Sequence, residues 1–306
     1  MNSKISVCIP VYNGSDTIEK LVDDVFVELK NEHEIEIILV NDSSSDNSEE
    51  ICVKLAQNNK NVKFISLRRN YGEHNAVMCA LNFATGDYVA IIDDDFQNPP
   101  SEILKLVNEA KKGFDVVYSK YYEKKHHFFR NLGSKFNDLV STWLLEKPKD
   151  LYLSSFKVIS KELVKELIKY KGPFPYIDGL ILRATNNITS IYVEHHVRQE
   201  GKSNYTINKL ASLWLNMFIN FSIKPLRVFT FFGMAMASIG FLASVLFIIE
   251  KLISPEMELG WTSVIVSILM FSGIQLIFLG LIGEYIGKHY LDSNGTPQWT
   301  IKEKFL

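Results

Sequence analysis

The chain has 306 residues with nearly balanced charge, 33 Lys and Arg against 35 Asp and Glu, for a net charge of −2. That excludes the basic excess of a nucleic-acid binder and leaves room for one large domain or two smaller ones with real cores. Three cysteines, Cys8, Cys52 and Cys79, lack paired spacing, which excludes a disulfide framework and a zinc site and fits a reducing compartment.

Met1 to Lys4 runs straight into a strand pattern, so no signal peptide is expected. Strand patterns then alternate with helical ones. Strands are predicted at Ile5 to Val11, Glu36 to Val40, Val62 to Leu67, Tyr88 to Asp93 and Asp115 to Ser119. Helices are predicted at Asp16 to Leu29, Asp46 to Gln57, Glu73 to Ala84 and Ser101 to Lys111. The alternation predicts an α/β fold, a mainly parallel sheet with helices on both faces. Such sheets bind ligands at the carboxyl ends of their strands. Three strands end there in polar clusters: Pro10-Val11-Tyr12-Asn13, Asn41 to Asp46, and Asp93-Asp94-Asp95. No glycine-rich dinucleotide fingerprint follows the first strand and no phosphate-binding P-loop occurs, so both of those readings are weak.

The carboxylate triplet carries the most chemistry. On an extended strand Asp93 and Asp95 point one way and Asp94 the other. Two carboxylates on one side suit Mg²⁺ or Mn²⁺, and such ions are usually completed by substrate phosphates, which makes a diphosphate the natural third party. Arg68, Arg69 and Asn70 end the third strand, and Gly72 opens the next helix; a helix N-terminus with nearby cations also suits a diphosphate. Further on, Arg130 and Ser134 are one helical turn apart among Phe128, Phe129, Leu132 and Phe136. A cation and a hydroxyl beside an apolar surface suit a lipid phosphate. His126 and His127 stand in a lysine run and read as a solvated loop rather than a metal site.

Val228 to Ile249 and Trp261 to Gly283 contain no charged residue. At about 1.5 Å per residue each spans a hydrocarbon core of about 30 Å. Lys224 and Arg227 precede the first, Lys288, Lys302 and Lys304 follow the second, and the connector is mostly acidic. By the positive-inside rule both flanks are cytoplasmic and the connector is external. Leu210 to Ile223, apolar with Trp214, Asn216 and Asn220, fits an interfacial helix.

Ile9 to Asn13, Val40 to Asp46, and the acidic strand end followed by Gln97-Asn98-Pro99-Pro100 together resemble the family 2 glycosyltransferases of GT-A fold. The nearer likeness is to the polyprenyl-phosphate branch, which includes dolichol-phosphate mannose synthase, bactoprenol glucosyltransferase and undecaprenyl-phosphate aminoarabinose transferase, and Arg69-Asn70-Tyr71-Gly72 and Leu281 to Gly287 resemble its bacterial members especially. The likeness covers nearly the whole chain, with the motifs in the family's order. It implies a membrane-anchored inverting transferase that moves sugar from a nucleotide-diphosphate sugar, a UDP-sugar, to undecaprenyl phosphate on the bacterial inner membrane. It divides the chain into a cytoplasmic catalytic domain at 1–205, an interfacial helix at 206–227, spans at 228–250 and 261–283, an external loop at 251–260 and a cytoplasmic tail at 284–306.

The same likeness implies catalytic Asp93 and Asp95, with Gln97 completing a Mg²⁺ or Mn²⁺ shell. Pro10, Tyr12, Asn13, Asp42, Arg69, Asp93, Asp94, Arg198 and Lys202 fall to the nucleotide sugar, with Asp42 facing the base, where a carboxylate accepts an imide N–H. Lys120, Arg130 and Ser134 fall to the lipid phosphate. The bilayer, a homotetramer, a flippase and a downstream glycosyltransferase are the implied partners. The chain departs from the pattern in three places: Leu151 stands where the family has an acid, Lys157 where it has Arg, and Asn204 where it has Lys after Arg198-Gln199-Glu200-Gly201-Lys202-Ser203. Two other readings stand beside this one, an inactive scaffold subunit and a processive polysaccharide synthase; the second needs more spans and a Gln-x-x-Arg-Trp motif.

Overall fold

A computed structural model describes residues 3–30, 32–121, 142, 144, 147–148, 150–196, 224–253 and 260–306. They form two units, one built from the first 205 residues together with Gly295–Leu306, the other within Thr206–Asn294. In the first, strands β1 (Lys4–Val11), β2 (Glu34–Asn41), β3 (Val62–Leu67) and β4 (Tyr88–Ile91) alternate with helices α1 (Ile18–Leu29), α2 (Ser48–Asn58), α3 (Glu73–Phe83) and α4 (Glu102–Ala110). Then follow β5 (Val116–Tyr121), β6 (Lys157–Ser160), α5 (Lys161–Leu167), α6 (Ile177–Ala184) and β7 (Ile188–Val193), and at the end of the chain β8 (Ile301–Phe305).

The eight strands form one sheet in the order β7-β5-β6-β4-β1-β2-β3-β8. Strands β4, β1, β2 and β3 run parallel. Strand β6 is antiparallel to β4 and β5, and β8 is antiparallel to β3. The mainly parallel α/β sheet expected from sequence is therefore present, with an antiparallel insertion and an antiparallel edge. The parallel strands are buried on both faces, which is why β1 and β2 are dominated by apolar residues, broken inside the sheet by Ser6 and Glu36. Helix α1 buries Ile18, Leu21, Val22, Val25 and Leu29, a single helical stripe, against this sheet. The chain moves outward from β1 through β2 to β3 and then returns to place β4 on the other side of β1. That reversal opens a crevice at the carboxyl ends of β1 and β4, where ligands bind in such sheets.

At the opposite end of the sheet Glu36, almost fully buried, accepts Ser6 Oγ at 2.5 Å, the Thr85 amide at 2.6 Å and Lys63 Nζ at 3.0 Å. Burial pushes this carboxyl up, but the hydrogen bonds from Ser6, Thr85 and Lys63 outweigh it and hold the pKa at about 2. A carboxyl held below its unfolded value stabilises the fold above the ordinary carboxylate range, and that stability is lost as pH falls toward about 2. Its full size is about 3 kcal/mol. Urea unfolding from pH 7 to pH 3 should therefore fall less steeply for Glu36→Gln than for the wild type. Parallel slopes would mean that the Glu36 carboxylate has no special hold.

The second unit holds helices α7 (Lys224–Ile253) and α8 (Trp261–Ser293), 30 and 33 residues long and apolar enough to cross a membrane. Both outrun the apolar spans read from sequence, because helix continues into the charged flanks at Lys224, Arg227, Glu284 and Lys288. Phe229 and Phe278 pack between them with tilted rings 4.8 Å apart, while Phe231, Phe241 and Leu276 stand outward. The Thr230 and Ser238 hydroxyls donate to the carbonyls of Leu226 and Met234 one turn back, as polar groups in lipid must.

The expectation of a tail at 284–306 differs from what is seen. Residues 284–293 continue α8, and β8 joins the sheet of the first unit. The reason is in the alternation of Ile301-Lys302-Glu303-Lys304-Phe305. Phe305 stacks on Phe64 at 6.3 Å, while Lys302 pairs with Glu49 at 2.8 Å. A charged strand of this kind also blunts the edge left open by β3. Most of the interfacial segment at 206–227 lies outside the described residues.

Candidate active site

The crevice is built from the loops that leave β1, β2, β3 and β4. After β1, Asn13 adopts a left-handed conformation with φ 57°. Its amide donates to Ser44 Oγ at 3.0 Å, and its Oδ1 accepts the Ser45 amide at 2.8 Å, which ties the end of β1 to the end of β2. Pro10 is buried in β1, whereas Tyr12 is 49% exposed and open to a ligand. Asp46 accepts the amides of Ser15 and Ser48, both at 3.1 Å, so it holds the start of α2.

Strand β4 ends at Ile91, two residues earlier than its apolar run predicts. Asp93, Asp94 and Asp95 therefore lie in a turn, and strand alternation does not set their directions. The turn closes with Phe96 at φ 59°, its ring buried in the core. Each carboxylate has its own partner. Asp94 Oδ2 accepts the Tyr12 amide at 3.1 Å. A Cβ on Gly14 would sit 2.4 Å from that oxygen, so a larger residue there would push the Asp94 carboxylate off the Tyr12 amide. Asp95 Oδ1 accepts the Gln97 amide at 3.1 Å, and the Gln97 carbonyl accepts the His196 amide at 2.8 Å. Asp93 Oδ2 accepts Ser155 Oγ at 2.5 Å.

The electrostatics of this corner are strained toward a cation. Burial pushes the Asp93 carboxyl up, and the negative charges of Glu73 and Asp95 add to it, reaching about 7 despite the Ser155 hydrogen bond. Burial also raises Glu73, the first residue of α3, which Lys157 opposes and Asp178 and Asp95 reinforce. Burial lowers His74 to about 4, so its ring is neutral near pH 7, edge-on to Tyr176 at 5.1 Å. Hard carboxylate oxygens that repel one another fit Mg²⁺ or Mn²⁺. Among the described residues no group of three or more His, Cys, Asp or Glu forms a ready-made metal cage. An ion held by one or two carboxylates and completed by substrate phosphate needs none.

After β2, Asp42 is almost fully buried; its Oδ1 accepts the Tyr71 amide at 2.7 Å and its Oδ2 the Gly72 amide at 2.8 Å. The carboxylate thus holds the loop that starts α3, with Gly72 at φ 91°, a conformation that favours glycine. Each oxygen keeps further lone-pair capacity. Arg69 lies over the Tyr71 ring at 4.6 Å.

Several participants carry no signal that local pattern could read. Lys157 in β6 and Asp178 in α6 form a buried ion pair, with Tyr118 Oη donating to Asp178 Oδ1 at 2.8 Å. Tyr121 Oη donates to Asn98 Oδ1 at 2.7 Å and meets Ser154 Oγ at 2.9 Å, while its ring packs on His195 at 4.3 Å. Serines 154 and 155 thus hold the acidic turn from both ends. They lie just ahead of Lys157, the position where the chain departs from the family's Arg. Leu151 is buried, and the nearest acid in sequence, Asp150, is exposed. Lys120, next to Tyr121, extends over the Tyr192 ring at 5.3 Å. Arg130, Ser134, Arg198 and Lys202 lie outside the described residues.

The solved glucosyl-3-phosphoglycerate synthase of Mycobacterium tuberculosis, in complex with Mn²⁺, UDP-glucose and phosphoglyceric acid, superposes with a TM-score of 0.54 at 18% identity, covering 70% of this chain and 78% of that one. That is a likeness of fold. Two curated relatives are named undecaprenyl-phosphate 4-deoxy-4-formamido-L-arabinose transferase. The one from Yersinia pestis (strain Pestoides F) is 33% identical over 98% of this chain and 93% of its own length. The one from Proteus mirabilis (strain HI4320) is 33% identical over 98% and 94%. The family model for the GtrB C-terminal hairpin matches residues 224–289, the two long helices. The model for glycosyl transferase family 2 matches residues 6–168, which hold the crevice and its acidic turn. With the family's sheet, its carboxylates at the strand reversal and relatives matched end to end, the chain belongs to glycosyl transferase family 2 and is a glycosyltransferase.

Proposed function

We propose that the protein transfers a sugar with inversion from a UDP-sugar to undecaprenyl phosphate at the cytoplasmic face of a bacterial inner membrane. The observation that carries this reading is the union, in one chain, of the acidic crevice with an apolar helical hairpin, matched over 98% of its length by relatives named for that acceptor. Asp93, Asp95 and Gln97 would hold Mg²⁺ or Mn²⁺. Such an ion supplies charge neutralisation for the departing nucleoside diphosphate.

The chain's own groups do the rest. Tyr12, Asn13, Pro10 and Asp42 surround the uracil base. Arg69, Arg198 and Lys202 face the diphosphate, and Asp94 fixes the end of β1 beneath it. Lys120, Arg130 and Ser134 hold the lipid phosphate. With a second pKa of about 6, that phosphate is already an anionic nucleophile near neutrality, so the family's acid, replaced here by Leu151, is not needed as a base. The product is a polyprenyl-phosphate sugar on the cytoplasmic leaflet. A flippase and a downstream transferase would then use it in envelope glycan assembly, and the active form is a homotetramer.

Strand β8 lies in the same sheet as β3 although α7 and α8 intervene in the chain, which supports an even number of crossings. Both ends would be cytoplasmic and residues 251–260 external. A cysteine placed at Ser254 should react with an impermeant thiol reagent on whole cells. The native Cys8, Cys52 and Cys79 are buried and give little background. Protection at Ser254, with labelling of a cysteine placed at Lys302, would reverse the topology.

The acceptor assignment is tested by Arg130→Ala. Hydrogen bonds to charged groups are worth about 1.5–3 kcal/mol, so acceptor KM should rise roughly ten- to a hundredfold while UDP affinity in Mn²⁺ holds. An unchanged acceptor response, or a large loss of UDP affinity in a folded variant, would remove Arg130 from the acceptor site.

A further inference from the structure

The C-terminal strand does more than close the sheet. The register between β3 and β8 slips at Ser66 and Leu67, just before β3 gives way to the loop that carries Arg69. Beyond the slip, the Thr300 carbonyl accepts the Arg68 amide at 2.9 Å. The Thr300 hydroxyl meets Tyr71 Oη at 2.6 Å. Tyr71 is held at three further points: its amide donates to Asp42 at 2.7 Å, its carbonyl accepts Asn75 Nδ2 at 2.7 Å, and its ring carries the Arg69 guanidinium at 4.6 Å. Two residues earlier, the Gln298 side chain, buried, donates to the Gly172 carbonyl at 2.8 Å and anchors the strand's approach.

We propose that Thr300 is a positioning residue for the donor site, setting the Tyr71 ring through its hydroxyl and so placing Arg69 for the nucleotide diphosphate. The proposal rests on the reading of Arg69 as a donor contact. An arginine that must reach a phosphate pair gains most when its plane is fixed before the ligand arrives. Stacking on an aromatic ring does this only if the ring is itself held. Asp42 and Asn75 hold the Tyr71 backbone, and Thr300 holds the far end of its side chain. The chain reaches Thr300 only after both apolar helices, so a residue distant in sequence completes a subsite at the third strand end.

The test uses the full-length protein. Thr300→Val removes the hydroxyl and keeps the shape. UDP affinity in Mn²⁺, by calorimetry, should weaken roughly three- to tenfold, the size of one lost neutral hydrogen bond. Donor KM should rise by the same factor, with kcat and acceptor KM unchanged, and Thr300→Ser should restore the wild-type values. Tyr71→Phe cuts the same link from the other side and should match Thr300→Val, serving alone if the valine variant does not fold. In an Arg69→Ala background Thr300→Val should have no further effect on UDP affinity, because the residue acts through that arginine. Wild-type affinity in both Thr300→Val and Tyr71→Phe would overturn the proposal, as would a Thr300→Val loss that persists without Arg69. Failure of the wild type to bind UDP would instead overturn the donor reading, and this inference with it.

Discussion

Asp95→Asn folds like the wild type and loses transfer by roughly a hundred- to several-thousandfold. The substitution replaces an anionic oxygen by a neutral one at nearly constant shape. A divalent ion that neutralises a leaving group contributes several kcal/mol, and each 1.36 kcal/mol is a factor of ten in rate. The Gln97 amide that Asp95 accepts can still be accepted by the Oδ1 of asparagine, so the turn should stand. Asp94→Asn should do far less. Asp94 is turned to the Tyr12 amide at 3.1 Å, and an asparagine oxygen can replace it there. Initial rates at saturating donor and acceptor, with thermal unfolding as the control, read both variants. Greater damage from Asp94→Asn at matched stability would mean that Asp94 holds the ion and Asp95 shapes the turn.

The second large effect is on stability. Asp178→Ala should cost about 3–5 kcal/mol, because it removes the carboxylate paired directly with the buried Lys157 ammonium and leaves it only the looser attraction of Glu73 and Asp93. Tyr118 Oη loses its acceptor in the same step. For a domain of this size the melting temperature should fall by roughly 6–20 °C. Replacing both charges, Lys157→Met with Asp178→Leu, should recover much of the loss, since a buried pair is often no more stabilising than well-packed apolar side chains. Urea unfolding gives the numbers. A cost under about 1 kcal/mol for Asp178→Ala would show that water reaches the pair and that β6 is not held from behind in this way.

The parallel core was legible because its signal is local. Strands β1 to β4 are short stretches dominated by Ile, Val, Leu and Phe, and α1 shows its stripe as Ile18, Leu21, Val22, Val25 and Leu29. The end of β4 was misjudged for a physical reason. A strand carried through three consecutive aspartates would place one of them on a buried face, whereas a turn after Ile91 gives each its own partner and buries Phe96 instead. Strand β8 was invisible because three of its five residues are charged and its partner, β3, lies more than 200 residues away in the chain. In the site, the glycine-bounded motifs and acid clusters could be read, but what orients them could not. Ser155 on Asp93, Thr300 on Tyr71 and Asp178 on Lys157 are contacts between remote segments, and no spacing rule records them.

The central claim is about the acceptor and the bond formed. Purified full-length protein incubated with undecaprenyl phosphate, Mn²⁺ and a panel of UDP-, GDP- and dTDP-sugars should yield, with a uridine donor, a lipid whose mass is undecaprenyl phosphate plus one sugar residue. Mass spectrometry of the lipid fraction reads it directly, and the Asp95→Asn protein should give none above background. Donor consumption with the sugar recovered only on a water-soluble acceptor, or a lipid carrying several sugar units in series, would contradict the account.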